Sequence, residues 1–185
     1  MSRYWEARLN SFVVQVLPGE LHVTDEDVVI STVLGSCVSA CVRDVRRGIG
    51  GINHFMLPNA LRGDQGDSAR YGVYALECLV NQVLAGRGKK VDLEVKVFGG
   101  GRVIDGGGDI GKGNIDLVRA FFQAEKLPIA SEDLGDTYAR RIRYWPKSGR
   151  AQCQRIPMAK ATEVVQSEKR AASAPVATAG SVELF

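Results

Sequence analysis

The sequence of 185 residues lacks the features that mark a membrane protein, an exported protein or a nucleic-acid binder. No apolar run approaches the roughly 18 residues that span a bilayer, so we expect no membrane insertion. Residues 1–10 are charged and contain no apolar stretch typical of a cleaved signal peptide. The net charge is only +3, from 24 lysines and arginines against 21 acidic residues, and this excludes a strongly basic nucleic-acid partner surface.

Histidine and cysteine are scarce, with two and four residues in the whole chain. Without an export signal, we expect reduced thiols and a cytoplasmic location. Cys37 and Cys41 would lie about 13 Å apart along a regular strand, which is beyond the roughly 7 Å that a disulfide allows. A zinc site built from Cys37, Cys41 and His54 lacks the usual second pair of ligands, and we expect no metal.

The residues that are present predict one folded domain. A hydrophobic fraction of 45% and a charged fraction of 24% are typical of a protein with a packed core. The first half predicts short strands in quick succession, and the second half adds two amphipathic helices, one alternating strand and a terminal hairpin. The predicted strands are 12–17, 28–34, 37–42, 49–57, 91–97, 138–145 and 151–156. The predicted helices run from about residue 68 to residue 84, with apolar positions from Val73 to Leu84, and from about residue 115 to residue 126.

These elements place the chain in the α/β class, of the α+β type, as a compact single domain of mixed or antiparallel sheets flanked by helices. Glycine-rich loops are expected at 60–67 and 99–113, with Ser68 or a neighbour capping the first helix. We assign residues 1–157 to the folded domain. Residues 158–185 are rich in Ala, Ser, Thr, Glu and Lys without periodicity, and they predict a disordered C-terminal tail.

One cysteine follows a turn of small residues in the segment Leu34-Gly35-Ser36-Cys37. A thiol is a weak nucleophile until a neighbour stabilises its thiolate, and an imidazole is the usual partner. Gly35 and Ser36 allow backbone amides to turn toward the space that the thiol faces, where two amides would form an oxyanion hole. The alternative is a structural cysteine, since free cysteine is among the most buried residue types.

His54 follows Gly50-Gly51 on an apolar segment, where glycines permit close approach of a neighbouring backbone. The alternative for His54 is a core histidine whose hydrogen bonds are satisfied. His22 has no neighbouring motif and is interpreted as a surface or structural residue. If Cys37 and His54 meet in space, the chain has the minimal parts of a thiol hydrolase.

A phosphate-binding loop is suggested by Gly106 followed by Gly111-Lys112, between a predicted strand and a predicted helix. The next residue is Gly113, where that motif needs a Ser or Thr hydroxyl to hold magnesium. The incomplete motif argues against a nucleotide triphosphatase.

Four motifs, taken together and in order, resemble those of the CheD family of chemoreceptor glutamine deamidases. The resemblance runs from about Val14 to Arg155. The motifs are Leu34-Gly35-Ser36-Cys37, Gly50-Gly51-x-x-His54-Phe55-Met56-Leu57-Pro58, Ile110-Gly111-x-x-Asn114 and Glu132-Asp133-x-Gly135.

This resemblance implies an enzyme of bacterial chemotaxis that hydrolyses the side-chain amide of receptor glutamines to glutamate and releases ammonia. It places the nucleophile on Cys37 and the general base on His54, with Gly35 and Ser36 positioning the oxyanion. The family's third catalytic position is a threonine six residues before the cysteine. Ser31 stands there in this chain, with Thr32 beside it, and the resemblance assigns the third role to Ser31.

The resemblance also implies a fold similar to that of bacterial toxin deamidases and a reaction that needs no cofactor. The expected partners are the cytoplasmic helices of methyl-accepting chemoreceptors, as substrate, and a CheC-type chemotaxis phosphatase. One departure from the family pattern is Asp136, where a second glycine usually follows Gly135. Two alternatives stay open: a receptor-docking module without catalysis, and a protease or transglutaminase that uses the same Cys–His pair.

Overall fold

The computed structural model describes residues 1–57, 65–103 and 110–157, together with residues 163, 164, 166–168 and 170. These residues form ten strands, two α-helices and one short 3-10 helix, Lys90–Asp92. The helices are α1 Gln65–Leu84 and α2 Ile110–Ala124. The strands are β1 Ser2–Glu6, β2 Ser11–Gln15, β3 Leu21–Thr24, β4 Val29–Leu34, β5 Val38–Asp44, β6 Ile49–Asn53, β7 Leu93–Gly99, β8 Ile129–Leu134, β9 Ala139–Trp145 and β10 Arg150–Ile156.

The strands form two five-stranded sheets, each of them mixed. The first has the order β1-β2-β4-β9-β10, with β2 and β4 parallel and the other neighbours antiparallel. The second has the order β3-β6-β5-β7-β8, with β7 and β8 parallel. Mixed sheets with two helices confirm the expected α+β class.

The first core lies between the second sheet and the two helices. Side chains alternate across a strand, so every second residue of β5 and β7 faces the helices. Residues of this core are fully or nearly fully buried, among them Val38, Ala40, Val42, Leu76, Leu79, Val83, Val95, Val97, Val118 and Phe122.

The second core lies between the two sheets, and it contains the other face of β5. Its buried residues are Val16, Ile30, Leu34, Cys37, Cys41, Ile52, Phe98, Ile142 and Tyr144. Cys37 and Cys41 therefore share one layer of the molecule, although only Cys37 lies at the end of the strand where the chain turns. The point at which β4 turns into β5 is thus held between two sheets.

Several predicted boundaries differ from the structure. Helix α1 already begins at Gln65, so Ser68 lies inside it and is not its cap, and α2 begins at Ile110 within the predicted glycine loop. Residues 60–64 and 104–109, including Gly106, lie outside the described residues. Gly111 is a buried residue of α2, and a Cβ there would lie 2.4 Å from the carbonyl oxygen of Gly100.

Strands β1, β3 and β8 are not predicted by the sequence. They lack a buried alternating face: β1 is exposed at four of its five residues, β3 is half-buried throughout, and the middle of β8 is polar and exposed. Pairing to a neighbouring strand, not hydrophobic patterning, defines them. His22 lies on β3.

The segment predicted as a disordered tail contains helical residues at 163, 164, 166–168 and 170. Glu168 in this stretch is only 2% exposed. The tail prediction counted large apolar groups, whereas the anchor of this stretch is a charged side chain. Residues 171–185 lie outside the described residues, and their disorder stays a prediction. In the described part of the chain, no helix is both long and apolar enough to cross a membrane.

Candidate active site

The turn between β4 and β5, residues 35–37, is held by its carbonyl groups. Each of the three carbonyl oxygens accepts one hydrogen bond from a donor elsewhere in the domain. The bonds run from the amide of Gly101 to Gly35 at 2.8 Å, from Nδ2 of Asn114 to Ser36 at 2.9 Å and from the amide of Gly100 to Cys37 at 2.7 Å. The three amides of the turn are therefore turned to the opposite side.

Those three amides converge on the carboxylate of Glu168. Oε1 accepts hydrogen bonds from the amides of Gly35 at 2.7 Å and Cys37 at 3.2 Å. Oε2 accepts from the amide and the hydroxyl of Ser36, both at 2.9 Å. Successive amides that point into one concavity form an anion-binding nest. We call residues 35–37 the amide nest.

At two glycines around this nest, other atoms lie very close to where a Cβ would be. Gly99 has φ 114°, and a Cβ there would lie 2.2 Å from the carbonyl oxygen of Cys37. A Cβ on Gly35 would lie 2.9 Å from Oε2 of Glu168, inside the space that the carboxylate fills. The glycines thus keep the turn close to its support and keep the nest open.

His54 is positioned by its backbone on both sides. Its amide donates to the carbonyl of Glu20 at 2.9 Å, and its carbonyl accepts from the amide of Gly19 at 2.8 Å. The next residue, Phe55, exchanges two hydrogen bonds of 3.0 Å with Val38, the residue after Cys37. Cys37 and His54 therefore flank one bridge between two segments, which places them side by side.

The structure brings the two predicted side chains together with a third. Sγ of Cys37, a ring nitrogen of His54 and a carboxylate oxygen of Glu168 all lie within 4.8 Å of one another. Cys37 is completely buried and His54 is 2% exposed. The pairing of Cys37 with His54 that the motifs suggest is therefore present.

Thr32 fixes the tautomer of the imidazole. Its Oγ1 lies 2.8 Å from Nδ1 of His54 and donates to the carbonyl oxygen of Val16 at 2.8 Å. A hydroxyl has one proton, and a carbonyl oxygen can only accept. Oγ1 therefore accepts from Nδ1–H, so the proton of neutral His54 is on Nδ1 and the lone pair is on Nε2.

Ser31 does not make the imidazole contact that the resemblance assigns to it. Its hydroxyl donates to the carbonyl oxygen of Ile142 at 2.9 Å, across the pairing of β4 with β9. Adjacent residues of a strand point to opposite faces, so only one of Ser31 and Thr32 can face His54. That residue is Thr32, so Thr32, and not Ser31, contacts the imidazole.

Burial keeps the Cys37 thiol and the His54 imidazole neutral in this structure. It lowers the pKa of His54 to about 4, and the carboxylate of Glu168 opposes this only in part. Burial raises the pKa of the Cys37 thiol well above its usual value, and Glu168 adds to that rise. Within the described residues, Nε2 of His54 is buried without a hydrogen-bond partner. Its lone pair is available to take a proton.

The other candidate residues lie outside this group. Cys41 is fully buried, its pKa is raised by burial, and it is not among the described residues that cluster as potential metal ligands. Arg140 is completely buried and donates to the side chain and carbonyl of Asp133 and to the carbonyl of Gly135. Asp136 adopts φ 68°, a left-handed conformation that favours the family's glycine.

Three supports of the site are not found by reasoning on single residues. Asn114 links two motifs, since its Nδ2 donates to Ser36 and its Oδ1 accepts from the amide of Leu57 at 3.0 Å. The glycines at 99–101 hold the nest, and their only sequence signal is a glycine run directly after a strand. Glu168 has no signal at all, because it lies in a stretch without pattern.

A cavity of about 380 Å³ adjoins the site. Its walls come from β2 and the loop after it, from the terminal hairpin, and from the C-terminal helical stretch. Its lining includes His54, Arg141, Arg155, Val164, Ser167 and Glu168.

The fold and the site define an α+β protein with a buried Cys–His–Thr group beside an amide nest. The sequence profile of the CheD family, described as CheD chemotactic sensory transduction, matches residues 56–155. The chain is 46% identical to the probable chemoreceptor glutamine deamidase CheD of Halorhodospira halophila, across 91% of this chain and 82% of the relative. It is 42% identical to the protein of that name in Hahella chejuensis, across 100% and 90% of the two chains. The chain belongs to the CheD family.

Proposed function

We propose that this chain hydrolyses the side-chain amide of chemoreceptor glutamines, yielding glutamate and ammonia. The relatives carry the name of that activity, and the observation that supports the chemistry is the arrangement at the β4–β5 turn. A thiol, an imidazole of defined tautomer and three convergent amides lie around one point. These are the nucleophile, the base and the oxyanion donors of acyl transfer.

Acylation begins with the transfer of the Cys37 proton to Nε2 of His54. Sγ then attacks the amide carbon of the glutamine side chain, and the carbonyl oxygen becomes an oxyanion. The amide nest stabilises that charge, a contribution of about 3 kcal/mol for a well-placed donor. The C–N bond breaks as the imidazolium donates its proton, so ammonia leaves and a thioester joins Cys37 to the substrate.

Deacylation uses the same groups, with water in place of the thiol as the group that gives its proton to His54. Neutral His54 takes a proton from water, and the hydroxide attacks the thioester carbon. The oxyanion again lies against the amide nest. The C–S bond breaks, Cys37 recovers its proton from His54, and the product is a glutamate side chain. Thr32 is a positioning residue in this scheme. Its hydroxyl oxygen accepts a hydrogen bond from Nδ1–H, so that the lone pair of Nε2 is directed toward the thiol.

We extend the proposal to a cytoplasmic location and to the partners that the family implies. The substrate is a glutamine on a cytoplasmic chemoreceptor helix, and a CheC-type phosphatase is a second partner. Arg141 and Arg155 border the cavity beside His54 and would attract the acidic residues of such partners.

The test is mass spectrometry of chemoreceptor cytoplasmic fragments incubated with the protein or with Cys37→Ala. A gain of roughly 1 Da per glutamine that requires Cys37 is the expected result. Cleaved chains would instead indicate a protease, and joined amines a transglutaminase. If fragments bind to both proteins but neither changes their mass, the chain is a docking module and the proposal is wrong.

A further inference from the structure

The amide nest is already occupied by a chemical group of the product's own type. Hydrolysis of a glutamine amide produces a carboxylate at the end of a two-methylene side chain, and Glu168 has that side chain. Its carboxylate accepts four hydrogen bonds from the nest, at 2.7–3.2 Å. One of its oxygens also lies within 4.8 Å of Sγ of Cys37 and of the His54 ring.

Burial of this charge shows that the contact is a specific one. A carboxylate loses favourable hydration when it is taken out of water, and the loss must be offset by charge-assisted hydrogen bonds. Glu168 is 2% exposed, and the nest provides donors to both of its oxygens. A substrate oxygen cannot enter the nest while these bonds exist.

The residues around Glu168 also form part of the cavity wall beside the site. Val164, Ser167 and Glu168 are spaced at i, i+3 and i+4, which places them on one face of a helix. All three line the cavity that also contains His54. Glu168 is thus presented to the nest from a helical stretch, as a residue of a substrate helix would be.

We propose that Glu168 acts as a built-in product analogue that inhibits the enzyme by occupying the amide nest in competition with the substrate glutamine. The inference rests on the proposed function and adds regulation to it. Activity and access to Cys37 both require the Glu168 side chain to leave. The apparent affinity for substrate is then reduced by the fraction of molecules in which the nest is free.

The first experiment measures two properties of the full chain, for wild type, Glu168→Ala and the control Glu77→Ala. Glu77 is an exposed acidic residue of α1 and is not among the residues that line the cavity, so the control removes the same charge without changing the nest or the approach to it. One property is the rate at which iodoacetamide alkylates Cys37, read by peptide mass spectrometry. The other is kcat/KM for deamidation of a receptor fragment.

Glu168→Ala should raise both the alkylation rate and kcat/KM by about tenfold or more, whereas Glu77→Ala should match the wild type. Unchanged alkylation and unchanged kcat/KM in Glu168→Ala would overturn the inference. If alkylation rises but no variant deamidates any receptor fragment, the occupancy of the nest is supported and the proposed function fails. If all variants deamidate equally, the function stands and the inhibition does not.

A second variant tests the product-like position and does not depend on removal of the side chain. Glu168→Gln keeps the shape and replaces the carboxylate by the substrate's amide. In the purified protein, this variant should regain roughly 1 Da at position 168 at a rate independent of protein concentration, and Cys37→Ala should abolish the gain. If the variant deamidates receptor fragments but never position 168, Glu168 does not lie as the product does.

Discussion

The turn that carries Cys37 and the strand that carries Cys41 place two thiols four residues apart in one buried layer. Both thiols are fully buried and free, and burial raises the pKa of both. Around Cys41, β5 pairs regularly with β6 and β7, so the backbone donors and acceptors are used within the sheet. Around Cys37, the carbonyls are bonded on one side and the amides form a nest on the other.

Neither burial nor a raised pKa distinguishes the proposed nucleophile, Cys37, from the core cysteine, Cys41. The difference lies in what the backbone can offer to a reacting group. In a regular strand the amides donate within the sheet. In the turn at residues 35–37, three amides donate to no strand and point into one concavity. An imidazole with a free lone pair beside only one of the two thiols completes the distinction.

The largest expected effect comes from replacing each thiol in turn. Cys37→Ala should lower deamidation by at least about 10³-fold, because the nucleophile is lost. Cys41→Ala should change kcat/KM by less than about threefold, since its only expected cost is a small core cavity of about 1 kcal/mol. The measurements are steady-state deamidation and urea unfolding. Comparable losses of activity in the two variants would contradict the assignment of Cys37, and not Cys41, as the nucleophile.

A second prediction concerns the imidazole that faces only Cys37. Burial lowers the pKa of His54 from 6.5 to about 4, so between these values the unfolded chain binds the extra proton. The free energy of unfolding should therefore fall as pH decreases from about 6.5 to 4, by about 3 kcal/mol in total. Urea unfolding at several pH values measures this slope.

The variant His54→Asn should lose most of that slope. His22→Asn is the matched comparison. Burial also lowers the pKa of His22, the other histidine of the chain, but His22 is much less buried, so this variant should lose less of the slope. A slope that is unchanged in His54→Asn would mean that this imidazole is not held neutral by burial.

The smallest expected effect separates the two neighbouring hydroxyls of β4. Thr32→Val removes the acceptor of Nδ1–H and should lower kcat by about tenfold, through loss of the oriented tautomer. Ser31→Ala removes a hydrogen bond to Ile142 and should lower stability by about 1 kcal/mol while leaving kcat nearly unchanged. Thr32→Ser should restore kcat. If Ser31→Ala lowers kcat more than Thr32→Val, the assignment of the imidazole contact is wrong.

The predictable part of the molecule was the part with a repeating pattern or a motif. Val29–Leu34, Ala139–Trp145 and Arg150–Ile156 follow from apolar, β-branched or turn-bounded segments. The proximity of Cys37 and His54 could be predicted, because Cys37 follows a turn of small residues and His54 follows a glycine pair that permits close backbone approach. The edge strands β1, β3 and β8 were missed, because pairing with a neighbour defines them and no local pattern does.

Two features of the site could not be obtained from the sequence for a different reason. Whether Ser31 or Thr32 faces His54 depends on the register of β4 against β9, since a shift of one residue exchanges the two faces. Glu168 meets the nest across more than 130 residues of chain, from a stretch with no apolar periodicity. A contact made by one charged side chain and backbone amides leaves no trace in composition.

Three of the four donors of the amide nest are main-chain N–H groups, and these do not depend on which side chains occupy residues 35–37. A substitution there can crowd the nest, as a Cβ on Gly35 would, but it leaves the N–H groups in place. Proline is the one amino acid that lacks this donor. Mutation can therefore change access to the anion site far more readily than it can delete the site, and sequence drift at residues 35 and 36 should show itself in substrate choice before it shows itself in loss of chemistry.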